Sequence, residues 1–168
     1  MKSKLFTVIM VLISSTTFAQ QSATWSKWQW LIAEWKGEGE GKPGQGSGTF
    51  SFKPDLKEKI LIRKSHSEYP ATGGRPATIH DDLMIIYPDH TGAPSKAIYF
   101  DNEGHTINYS ISYEAASIVM ISEKIPNVPV FRLTYSLLEN EVVNTKFEMS
   151  QDGTKFMTYI EGKSKKIK

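Results

Sequence analysis

The sequence predicts an all-β fold: an antiparallel up-and-down β-barrel of about ten strands, with a short N-terminal helix closing one end. Three observations carry this. Short segments with period-two alternation, many rich in β-branched and aromatic residues, recur at roughly ten-residue spacing between turn signals. No helix-period segment separates them, which argues against a parallel sheet. The stretch Trp28 to Gly41, WQWLIAEWKGEGEG, pairs a bulky apolar turn with a glycine-alternating segment suited only to a curved strand.

The chain opens with a short basic start at Lys2 and Lys4, an apolar run from Leu5 to Ile13, and a small-residue exit at Thr17-Phe18-Ala19. This order predicts a secretory signal peptide over residues 1–19, and hence an exported protein, periplasmic or extracellular. The apolar run is too short to span a bilayer. Residues 20–168 are then a single domain of 149 residues, enough for one core. Removing Lys2 and Lys4 leaves 18 basic residues against 18 acidic ones. A balanced domain carries no electrostatic footprint for nucleic acid. The chain has no cysteine, which excludes disulfides, thiol nucleophiles and cysteine-based zinc sites. The lysine-rich tail 163–168 reads as a solvated end.

Trp28, Leu31, Ile32 and Trp35 sit at helical spacing and form the N-terminal plug, with Trp28 and Trp35 its anchors. Strand one runs from Trp35 to Gly41. The glycine-rich loop 42–48 lacks the Gly-Lys-Ser/Thr of a phosphate loop and reads as a hairpin connection. Strands follow at 49–52, 59–69, 82–87, 96–101, 105–113, 117–122, 129–137, 141–150 and 154–162. The alternation is cleanest at 105–113, with Ile107, Tyr109, Ile111 and Tyr113 on one face. In 59–69 it is ambiguous, because Leu61 and Ile62 lie on opposite faces. An open sheet of ten sequential strands leaves two edges, and closure removes both. A barrel of this size has room for an internal cavity.

The residues Ala33 to Gly41, AEWKGEGEG, resemble the Gly-x-Trp-x-Gly opening of calycin-type barrels: lipocalins, fatty-acid-binding proteins and the nitrobindin-like group. Ala33 stands where that motif has its first glycine. The strand pattern extends the resemblance, as architecture, over about Trp28 to Lys163. It implies a tryptophan closing one barrel end and a small molecule held inside. Segments such as YFDNEGH and FRLTY look like those of exported bacterial barrels of unassigned function. Nitrobindin-like proteins hold haem through a histidine on a late strand, whereas His66, His80, His90 and His105 all fall earlier. Fatty-acid-binding proteins hold a carboxylate with Arg-x-Tyr on the last strand, where this chain has Tyr159 but no arginine. Neither site is implied, and the sequence implies no cofactor and no metal.

Strand parity places His66, Tyr69, His80, Asp82 and His105 at the barrel end opposite Trp35, with His90 at the other end. A polar site at that mouth is one reading, a metal site or a general acid–base pair. The other is an ordinary rim, because histidine and aspartate commonly cap turns. No His-x-x-x-His spacing supports a metal, and no Gly-x-Ser-x-Gly elbow supports a hydrolase triad. Tyr99, Tyr109, Tyr135 and Tyr159 lie where they either line a cavity or pack an ordinary core. Arg63 and Arg132 are mid-strand cations. One that points inward must be paired, and it would meet a ligand carboxylate bidentately. Arg132 joins the candidate set on that ground, although alternation sets it opposite Phe131 and Leu133, on the side that faces water. The candidate ligand-binding residues are therefore His66, Tyr69, His80, Asp82, Tyr99, His105, Tyr109, Arg132 and Tyr135. No catalytic residue is assigned. Three classes stay open: a carrier of a small hydrophobic or amphipathic molecule, an enzyme with a His/Asp site at the mouth, and an interaction domain with a filled barrel.

Overall fold

Ten strands follow one another around a single closed ring, each hydrogen-bonded to its sequence neighbours. The computed structural model describes residues 23–39 and 46–167. The signal peptide expected over 1–19 and most of the loop 42–48 lie outside the described residues. The strands are β1 (Glu34–Gly37), β2 (Ser47–Asp55), β3 (Ile60–Tyr69), β4 (Thr78–Pro88), β5 (Pro94–Asp101), β6 (Thr106–Glu114), β7 (Ser117–Ser122), β8 (Val130–Leu137), β9 (Val142–Ser150) and β10 (Met157–Lys166). β1 closes the ring on β10, with Trp35 opposite Lys166 and Gly37 opposite Ser164. All pairs are antiparallel, as an even-numbered meander requires. Among the described residues, no helix is long and apolar enough to cross a membrane.

The alternation decides which side chains fill the interior. Phe50 and Phe52 of β2, Met84 and Ile86 of β4, Ile118 and Met120 of β7, and Leu133 and Tyr135 of β8 are buried on the inner face. The ambiguity of β3 resolves with Leu61 and Arg63 inward. Ile62 then faces outward, in a cross-strand row with Ile85 and Ile98. Gly48 lets β2 and β3 close up at the upper end, since a Cβ there would stand 2.3 Å from the His66 carbonyl oxygen.

The lower end is sealed by tryptophans. Trp25, Trp28, Leu31 and Trp35 are all buried. Each indole N–H is satisfied: Trp25 donates to the Glu58 carbonyl at 2.8 Å, Trp28 to the Tyr113 hydroxyl at 2.9 Å and Trp35 to the Leu31 carbonyl at 3.0 Å. Tyr113 in turn donates to the Pro94 carbonyl. These bonds tie the plug to the β2–β3 connection and to β5 and β6.

Two expectations are corrected here. The N-terminal helix is absent among the described residues. A 3-10 turn, Ala23–Trp28, takes its place. Trp25, Trp28 and Leu31 are three residues apart, the 3-10 period, so they stack on one face. The tail lysines at 163, 165 and 166 are exposed, as expected of a solvated end, but they stand on the last strand rather than beyond it. Residues 163–166 belong to β10, whose Lys165 Nζ lies 2.9 Å from Glu38 Oε1, and the strand runs 157–166 rather than 154–162. The strand carries a bulge, with Tyr159 the extra residue between Thr158 and Ile160.

Candidate functional site

Halfway up the barrel the apolar filling gives way to a polar cluster. Its centre is Arg63, projecting inward from β3 directly above Leu61. Its Nη1 donates to Asp82 Oδ1 on β4, and both side chains are nearly sealed from solvent, at 9 % and 6 % exposure. The guanidinium also lies 5.6 Å from the Phe50 ring centroid. Tyr135 of β8 packs its ring on Phe50 at 5.9 Å and edge-on against Phe52 at 5.3 Å. Across the β8–β9 ladder, Thr145 lies opposite Tyr135. Tyr109 of β6 is buried beside Ala97.

Burial sets the electrostatics of the cluster. It pushes the Tyr135 phenol up to about 12, against the pull of Arg63, and drives Tyr109 and Tyr99 upward as well. All three hydroxyls therefore stay protonated at neutral pH. Burial also raises the Asp82 carboxyl, with Arg63 and then His80 opposing it. Among the described residues, three buried side-chain atoms have no hydrogen-bond partner of good geometry: Arg63 Nε, the Tyr135 hydroxyl and Thr145 Oγ1. Arg63 and Tyr135 are close enough to influence each other's ionisation. The guanidinium is within hydrogen-bonding reach of the Tyr135 hydroxyl, a contact that raises Arg63 against its burial and opposes the rise of Tyr135, but its geometry leaves Nε and the hydroxyl without a well-aligned bond.

Above the cluster, a hydrogen-bonded string runs to the mouth. His80 Nε2 lies 2.9 Å from the Tyr99 hydroxyl and 3.8 Å from Asp82 Oδ2, and its Nδ1 lies 3.1 Å from Glu103 Oε1. The Tyr99 hydroxyl is 3.2 Å from Asp101 Oδ2. Its one proton serves Asp101 or the His80 ring, not both. Burial pushes Asp101 up, but the backbone N–H and ring of His105 outweigh it and hold the carboxyl below its ordinary range. On the opposite side, Phe131 and Phe147 stack at 5.6 Å, and Tyr159 meets Phe147 edge-on at 6.3 Å. The upper interior thus has a polar wall on β3–β5 and an aromatic wall on β8–β10.

The candidate residues divide accordingly. Asp82, Tyr99, Tyr109 and Tyr135 face the interior, and His80 and Tyr69 stand at its mouth on the inner face. His105 is at the same end but on the rim, bound to Asp101 at 2.8 Å. His90 falls in the β4–β5 connection at the opposite end. His66 and Arg132 are corrected. His66 alternates to the outer wall, where Asp81 and Glu68 bond its ring at 2.7 and 3.1 Å and raise its pKa. Arg132 also faces outward. Its Nε donates to Glu148 Oε2 at 2.7 Å and its guanidinium covers the Phe156 ring at 4.1 Å. Arg63 is the inward arginine of the two, and Thr145 and Asp101 complete the inner set. The common parity of Leu61, Arg63, Ser65, Ser67 and Tyr69 was the signal for Arg63. Thr145 carried the same kind of signal, sharing a face with Val143, Phe147 and Met149.

No group of three or more metal-ligating side chains occurs among the described residues. An open groove of about 690 Å³ on the outer wall is lined largely by outward residues such as Lys64, His66, Leu83 and Phe100, and Arg63 is not among its lining residues. No family model matches the chain, and no curated protein matches its sequence.

Proposed function

We propose that the protein is an exported, calycin-like barrel that binds a small amphipathic molecule in its interior. The observation that carries this is the set of three buried polar atoms, at Arg63, Tyr135 and Thr145, that lack a well-aligned hydrogen bond. A buried polar atom left unpaired costs about 1–3 kcal/mol, and such atoms are rare in folded proteins. Three on one inner surface mark a place where a polar head completes the hydrogen bonding. The aromatic wall of Phe131, Phe147 and Tyr159 receives the apolar body. The inward tyrosines supply both apolar area and hydroxyls, as ligand sites commonly do. Export rests on the order of the first nineteen residues.

Native mass spectrometry of protein recovered from the exported fraction tests both parts. The polypeptide should begin at Gln20 and carry a small-molecule mass that is lost on denaturation. Bare polypeptide that also binds no amphiphile contradicts the carrier reading, and a chain beginning at Met1 contradicts export.

A second reading is favoured by one observation, the His80 ring held on both nitrogens at the mouth. There it would serve as general acid–base towards a molecule seated below. Release of a chemically altered molecule, abolished by His80→Ala, supports an enzyme. Release of the same molecule supports a carrier.

A further inference from the structure

The charge balance around Arg63 says which kind of head group the interior takes; this rests on the binding reading above. An arginine that captures a carboxylate must offer an uncompensated cation. Arg63 does not, because its Nη1 is already spent on Asp82 in a buried ion pair. A second carboxylate, Asp101, lies opposite Asp82 across the β4–β5 ladder, and its side chain is 4 % exposed. Other groups facing this region are His80, 3.8 Å from Asp82, His105, bound to Asp101, and the protonated phenols of Tyr99, Tyr109 and Tyr135. One fixed cation thus faces two carboxylates. A ligand carboxylate would add a third anion to a desolvated site, where like-charge repulsion is poorly screened.

The remaining donors suit a different head. Arg63 Nε–H only donates, and the Tyr135 and Thr145 hydroxyls each donate or accept. A carbonyl oxygen has two lone pairs, which Nε–H and the Tyr135 hydroxyl can fill together. The Thr145 hydroxyl then accepts an amide N–H or donates to an ester oxygen. We propose that the interior site takes an uncharged carbonyl head, an amide or ester, on an apolar body, and rejects the matching carboxylate. Such a preference reverses the carboxylate capture that the arginine alone suggests.

Octanamide and octanoate share one apolar body and differ in head charge, so calorimetric titration of the wild-type protein with each, near neutral pH, isolates the head. Octanamide should bind at least about tenfold more tightly, the ratio that a modest charge penalty imposes. Tyr135→Phe should weaken octanamide and leave octanoate little changed. Asp82→Asn should release the Arg63 cation and invert the preference. Should that variant fail to fold, Asp101→Asn removes one carboxylate without unpairing Arg63 and should narrow the gap. Octanoate binding as tightly as octanamide, or more tightly, overturns the head-group assignment while leaving the interior site standing. Binding of neither, nor of the decyl and dodecyl homologues, overturns the interior site and the assignment together.

Discussion

Replacing Arg63 with methionine removes the cation but keeps most of the apolar stem. Asp82, with its side chain only 6 % exposed, is then left without its charged partner. Breaking a buried pair from one side costs about 3–5 kcal/mol, chiefly because the surviving charge stays desolvated. Asp82→Leu should cost a similar amount, since it strands the guanidinium. The double variant Arg63→Met/Asp82→Leu strands neither charge and fills the space with apolar atoms. Replacements of that kind are often neutral or stabilising. The two single losses should therefore exceed the double loss by at least about 3 kcal/mol, a coupling at or beyond the upper end for contacting residues. Urea unfolding read by tryptophan fluorescence gives the three free energies, with the slope checking that the transition remains comparable. Single losses of about 1 kcal/mol that add within about 0.5 kcal/mol would refute the buried pair.

Trp35→Ala should cost about 3–5 kcal/mol, because a fully buried indole and its bond to Leu31 are both lost; a loss below about 1 kcal/mol in the same assay would mark a surface position. Glu148 sits beneath Arg132 and Lys146 on the outer wall, and the Arg132 hydrogen bond holds its carboxyl below the ordinary value of 4.5. A depressed folded-state pKa contributes stability above the unfolded value and loses it as pH falls through the folded value. Melting temperature should therefore drop on acidification below that ordinary value, and less steeply in Glu148→Gln; identical acid profiles would remove Glu148 from the account.

Much of the barrel was legible because alternation is a local property. Ile107, Tyr109, Ile111 and Tyr113 declare their face without reference to any neighbour, and turn residues such as Asn102-Glu103-Gly104 and Asp152-Gly153 bound the strands they join. The plug was legible as a cluster but not as a conformation. Trp28, Leu31, Ile32 and Trp35 fit a 3.6-residue period, while Trp25, Trp28 and Leu31 fit a period of three. Docking against the lower rim selects the tighter turn, and that docking is tertiary. The tail illustrates the same limit, since Lys165 and Lys166 look like a charged end until β1 supplies a pairing partner for their backbone. The interior site was half legible. Tyrosines and acids at the mouth followed from parity, but β3 carries apolar residues on both faces. Alternation already set Arg132 towards water, whereas the inward turn of Arg63 is settled by its buried ion pair with Asp82.

The chain contains three arginines, Arg63, Arg75 and Arg132, so its Nε–H signals form a small and assignable set in nitrogen-15 NMR spectra. Arg75→Lys and Arg132→Lys assign the Arg63 signal by elimination. When octanamide or octanoate, whichever binds, is added to saturation, the Arg63 signal should shift as its Nε–H gains a well-aligned acceptor. Those of Arg75 and Arg132 should stay in place. An Arg63 signal that does not move while the ligand is bound, or movement confined to Arg132 on the outer wall, would contradict an interior site built on Arg63.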